Sequence, residues 1–192
     1  MLVFETTPLT EALEIIGPIT AVLYVSSSCV DTDFTAALSV VTAEGCAAAL
    51  CEGIARVRYR SYVQPVAMGE GSTDEALLKG IIEPDEHVEQ QQHGGTGNPH
   101  LMEAGEVYEI VVDMWDTAIR FGAGEKLRVD ISSSNFPRYD RNLNTGGRVG
   151  FEEESAALVS RNDVFCCARF PSRLLLPTQD VGQAEPSTRG KL

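Results

Sequence analysis

The run from Lys126 to Ser132 alternates with a period of two. Leu127, Val129 and Ile131 are apolar, while Arg128 and Asp130 between them are charged. Alternate side chains of an extended strand point to the same face, so such a run buries one face and wets the other only as β-structure. The pattern recurs along the chain. Ile19, Ala21, Leu23 and Val25 share a face in the run from Ile19 to Ser26, and Phe34 to Val41 follows. Ala47 to Tyr59, the β-branched run Val107 to Trp115, and the shorter Val159 to Ala168 and Arg173 to Leu176 complete the set. Thr6 to Ile16, fenced by Pro8 and Gly17-Pro18, reads as a short helix or a strand approach. Short strands without strong amphipathic helices predict an all-β fold, a sandwich of two sheets. Uneven spacing and long crossovers favour a jelly roll over a hairpin ladder.

Two segments break the pattern. From about 67 to 100 the chain is rich in Gly, Glu and Gln, and this acidic stretch reads as a flexible loop insertion. From 179 to 192 it is a polar tail. The domain is therefore expected over 1–178.

Charge and composition exclude several functions. A net charge of -13 and the lack of a Lys/Arg cluster argue against nucleic acid as a partner. No apolar stretch is long enough for a membrane span, and Met1 to Glu5 has no signal-peptide pattern. Cys29, Cys46, Cys51, Cys166 and Cys167 form no frame and read as buried or half-buried thiols of a cytoplasmic protein.

The chemistry of catalysis is sparse. No serine has glycine two positions away on both sides, as a nucleophile elbow requires. His87, His93 and His100 fall in the acidic stretch, at neither helical nor zinc-finger spacing, and read as solvated loop residues. Asp31 and Asp33 alternate in a turn and raise a calcium hypothesis, but two carboxylates are few for a cation that wants six to eight oxygens. A structural role beside an arginine is the stronger reading. The run Ser132 to Gly146 is dense in hydrogen-bonding groups and carries Asn135, Phe136, Arg138, Arg141 and Asn142. It reads as a connector or interface motif, with Arg138 or Arg141 pairing with Asp31 or Asp33. No metal, cofactor or catalytic residue is expected. Trp115, the sole tryptophan, is expected in the core.

Several of these segments together resemble the C-terminal domain shared by X-Pro dipeptidyl-peptidases, cocaine esterase and cephalosporin-type acylases, the CocE/NonD type of serine hydrolase. The matching runs are Glu14 to Ala21, Leu23 to Ser28, Asp31 to Ala36, Gly53 to Arg60, Gly105 to Ile110, Ser132 to Gly146 and Pro171 to Pro177. The resemblance implies a galactose-binding-like jelly roll packed against an α/β-hydrolase domain, in the same chain or a separate one. That domain, not this one, carries the serine, aspartate and histidine of acyl transfer. Relative to the family the chain starts inside the jelly roll, and the acidic stretch is an insertion. Glu52 stands where aspartate is usual, Asp116 where proline often follows the tryptophan, and Glu125 where histidine is common. Two other readings stand beside this one: a free-standing ligand- or carbohydrate-binding module, or a fragment with a misplaced start.

Overall fold

The computed structural model describes residues 1–60 and 100–179. Most of the acidic insertion, with His87 and His93, and the tail beyond Gln179 therefore lie outside the described residues. The ten strands of the described residues are β1 (Leu2–Glu5), β2 (Leu13–Ser27), β3 (Asp33–Val41), β4 (Ala47–Arg56), β5 (Tyr108–Phe121), β6 (Lys126–Ser132), β7 (Asn162–Cys167), β8 (Phe170–Pro171), β9 (Arg173–Leu175) and β10 (Thr178–Gln179). They form two antiparallel sheets, an all-β sandwich. One sheet has the order β1-β6-β3-β4, and the other is built around β2.

β2 organises its sheet. Along one edge it pairs with β5 from Leu13 opposite Phe121 to Val25 opposite Tyr108. Along the other it takes three partners in succession: β10 at Ile15, β9 at Thr20 to Val22, and β7 at Tyr24 to Ser27. The turn between β9 and β10 fits against a kink at Gly17-Pro18. Gly17 has φ +129°, and a β-carbon there would stand 3.2 Å from Pro177. The region of Thr6 to Ile16 thus enters a strand at Leu13 and holds no helix.

The core lies between the sheets. Ile15, Ile19, Ala21, Leu23 and Val25 of β2 meet Phe34, Ala36 and Leu38 of β3, with Ile110, Val112, Met114 and Phe121 from β5. Each such large apolar side chain contributes about 1.5–3 kcal/mol by leaving water. Leu127 and Ile131 of β6 are buried as the alternation predicts, with Val129 packed partly against the same cluster.

At one side the sandwich almost closes. β4 and β5 approach so tightly at Gly53 that a β-carbon there would lie 1.9 Å from the Asp113 carbonyl oxygen. One residue later β5 breaks register. Pro18 faces Asp116 and Thr20 faces Asp113, so Met114 and Trp115 together oppose Ile19. In this bulge Met114 is fully buried, whereas Trp115 turns outward at φ 70° and is 66% exposed. Left-handed backbone at a bulky residue stores about 1–3 kcal/mol of strain.

Trp115 is thus a surface residue and not the core residue its strand position suggested. Val159, expected to open a strand, lies in the preceding loop and is 98% exposed. The thiols also differ from expectation: Cys29 is buried and Cys51 half-buried, but Cys46, Cys166 and Cys167 are exposed. Cys166 and Cys167 end β7, whose partner there is only the two-residue β8, so little lies over either face.

The close approach at Gly53 predicts that Gly53→Val destabilises the chain by about 1–3 kcal/mol through forced separation of β4 and β5. Gly122→Ala, where the new methyl group meets only ordinary contacts, should stay within about 0.5 kcal/mol of the parent. Urea denaturation curves of the two variants check this, and equal midpoints would contradict it.

Candidate functional site

Asp31 and Asp33 flank Thr32 at the start of β3, and all three side chains are buried. Asp33 faces Arg56 across the β3–β4 ladder. The guanidinium binds it in two places, Nε to Oδ1 and Nη2 to Oδ2, each at 2.9 Å. Asp31 receives the backbone N–H of Arg58 at 3.1 Å and its Nε at 2.8 Å. The Asn142 amide then donates one N–H to Asp31 and the other to Asp33, both at 2.8 Å. Its own oxygen accepts the backbone N–H of Asn144. Paired guanidinium and carboxylate groups of this kind form strong, directional hydrogen bonds. The bond to Asp33 holds the Arg56 guanidinium above its ordinary range, against the opposing effect of burial.

These groups fasten the loop between β6 and β7. Arg58 donates to the Gly147 carbonyl at 2.6 Å and Arg56 to that of Asp140 at 3.3 Å. Asn162 at the start of β7 donates to the Thr32 hydroxyl at 3.0 Å. No residue from 133 to 161 is fully buried, so polar contacts carry most of what holds this segment in place.

The sequence motif is therefore joined to the aspartates, but not through the expected arginines. Arg56 at the end of β4 and Arg58 in the 3-10 turn after it take that place. Arg138 instead pairs with Glu52, which also accepts a bond from Asn135 at 2.9 Å. Arg141 pairs with Glu154 at 2.8 Å and stacks over Phe136 at 4.7 Å. Both aspartates are already neutralised by guanidinium groups, which leaves no unbalanced charge to attract calcium. Among the described residues no group of three or more His, Cys, Asp or Glu could hold a metal ion. Asp31-x-Asp33 and Arg56-x-Arg58 carry like-spaced opposite charges, a signal present in the sequence without the register that joins them.

The loop ends in a surface of another kind. Phe136, Phe151, Leu158 and Val159 are all more than half exposed, and Arg148 stacks over Phe151 at 3.8 Å. Beside it an open depression of about 420 Å³ is lined by Leu50, Cys51, Glu52, Trp115, Asp116 and Arg138. Burial, reinforced by Glu52, raises the Cys51 thiol above its ordinary range. It is thus a poor nucleophile at neutral pH. His100, the one histidine among the described residues, is exposed.

The model of the X-Pro dipeptidyl-peptidase C-terminal non-catalytic domain matches residues 1–175. The chain belongs to this family. Cocaine esterase of Rhodococcus sp. (strain MB1 Bresler) is 39% identical over 177 residues, which is 92% of this chain and 25% of that protein. The chain thus spans about a quarter of the length of this curated relative. An aminopeptidase from a marine sediment Thaumarchaeota archaeon superposes with a TM-score of 0.71 at 21% identity, over 93% of this chain and 25% of the other. An alpha-amino acid ester hydrolase superposes at 0.69 and 23% identity, again over 93% of this chain and 25% of the other. At such identities these two superpositions establish the fold alone. By the family description, this is a non-catalytic β-sandwich domain of a hydrolase family. Among the described residues no helix is long and apolar enough to cross a membrane.

Removing one partner of a buried ion pair leaves the other charged and unpaired, so Asp31→Ala should cost about 3–5 kcal/mol. Arg138→Ala breaks a pair whose arginine is 57% exposed, and should cost less than about 1 kcal/mol. Chemical denaturation of the two variants side by side gives the comparison, and similar losses would refute the division into buried and surface pairs.

Proposed function

We propose that this chain is the accessory domain of an α/β-hydrolase-type serine hydrolase, and that it shapes and supports an active site built by a separate catalytic domain. The parent reaction is acyl transfer, in which a serine attacks an ester or amide carbonyl and water later releases the acid. The observation that carries this reading is the family match over residues 1–175 combined with a relative about four times longer. The fold is read more finely as a jelly roll of the galactose-binding-like type. Free thiols, three of them exposed, support a cytoplasmic setting.

The face that meets the catalytic domain is the loop from 133 to 161. Asp31, Asp33 and Asn142 hold its backbone from beneath, while Asn135, Phe136, Arg138 and Arg141 lie towards its surface. Exposed Phe136, Phe151, Leu158 and Val159 present apolar area with arginines stacked beside it. Aromatic residues and arginine are the types enriched in interfaces. The catalytic domain is joined in the same polypeptide or docks as a separate chain. Exposure of Trp115 supports a ligand-binding role as well, and one domain can hold both properties.

Pure protein should hydrolyse neither p-nitrophenyl acetate nor Xaa-Pro p-nitroanilides above the buffer rate. Turnover abolished by a serine-directed inhibitor would overturn the accessory reading. Phe151→Asp combined with Val159→Asp should leave the melting temperature of the chain within about 2 °C of the parent, since both side chains are exposed. The same pair should abolish association with the catalytic domain in analytical ultracentrifugation. Undiminished association would place the interface elsewhere.

A further inference from the structure

In the bulge of β5 the sole tryptophan faces outward between the buried Met114 and the exposed Asp116, with its backbone in the left-handed region at φ 70°. Asp113 fixes this arrangement by accepting the Trp115 backbone N–H at 2.8 Å. An exposed aromatic side chain on strained backbone points from geometry to use. Trp115 stands at the open depression, with Leu50 on the β4 side and charged groups around it. Glu52 is occupied on both oxygens, by Arg138 and by Asn135. Asp116 is exposed and makes no side-chain hydrogen bond among the described residues.

We propose that this depression binds a neutral pyranose sugar. The indole face of Trp115 stacks on the C–H face of the ring. The Asp116 carboxylate accepts hydrogen bonds from sugar hydroxyls, and the Arg138 guanidinium donates to their oxygens. Other occupants fit less well. An anion meets Asp116 and Glu52 on a chain of net charge -13. A cation meets Arg138, and Glu52 is already committed to that arginine. A sugar has one apolar face and a rim of groups that both donate and accept, which matches an aromatic wall beside a carboxylate and a guanidinium.

Because Trp115 is the sole tryptophan, its fluorescence reports this site alone. The full chain is titrated with glucose, galactose, mannose, N-acetylglucosamine, cellotriose and maltotriose. At least one should give a saturable change in emission with a Kd on the order of 1 mM. Asp116→Asn, at an exposed position, should weaken that binding about tenfold. Trp115→Ala, followed by calorimetry with the same sugar, should abolish it, and Trp115→Phe should retain part of it. The proposal fails if none of the sugars gives a saturable response, or if Asp116→Asn leaves the affinity unchanged. It fails equally if emission responds only to the catalytic domain, which would make Trp115 a protein contact. The accessory-domain reading does not depend on this result, since it is tested by turnover and association.

Discussion

Two buried carboxylates, a buried guanidinium and a partly buried one hold the end of this sandwich together. Charges so placed carry a desolvation penalty of several kcal/mol each. They persist because each oxygen and most donors have partners: Asp33 on Arg56, Asp31 on Arg58, and the Asn142 amide across both. The loop from 133 to 161 follows from them. It has no fully buried residue to hold it, yet it runs a fixed course because Arg56 and Arg58 take its carbonyls at Asp140 and Gly147. The apolar and aromatic side chains it presents are therefore displayed from a firm base.

What could be read beforehand followed from periodicity. β6 appears where its alternation places it, because a strand with one buried face has little choice of register. The all-β class follows from the same rule. The failures lie where a local pattern is overruled from a distance. Trp115 ends an apolar run, but Ile110, Val112 and Met114 hold its inward phase, and the extra residue opposite Ile19 turns only the later Ile119 and Phe121 towards the core. The pairing of Arg56 with Asp33 needed the β3–β4 register, and a sequence does not display that until the strands are joined. Arg138 and Arg141 looked like partners because they were the arginines of the most unusual run. Strand geometry gave the role to two less conspicuous residues.

The two halves of the loop region serve different ends. Its inner side is polar, closed and satisfied. Its outer side is apolar and open, with arginines lying flat on Phe136 and Phe151. Such stacking shields part of the ring from water while the charge remains solvated. A domain can thereby keep an adhesive face without becoming insoluble, and its strongly acidic balance adds repulsion between copies.

The pairing of β2 has a consequence for how the chain reaches its native state. Within this domain β2 is made long before β7, β9 and β10, the strands that complete its second edge. The bond from Tyr24 to Ser172 spans 148 positions. Closing loops of that length before any contact rewards them makes folding slow. An apolar strand from Ile19 to Val25 must then wait, one edge unsatisfied, until β7, β9 and β10 have left the ribosome. A domain wired in this way assembles all at once and late, and a nascent chain released early would expose its stickiest strand.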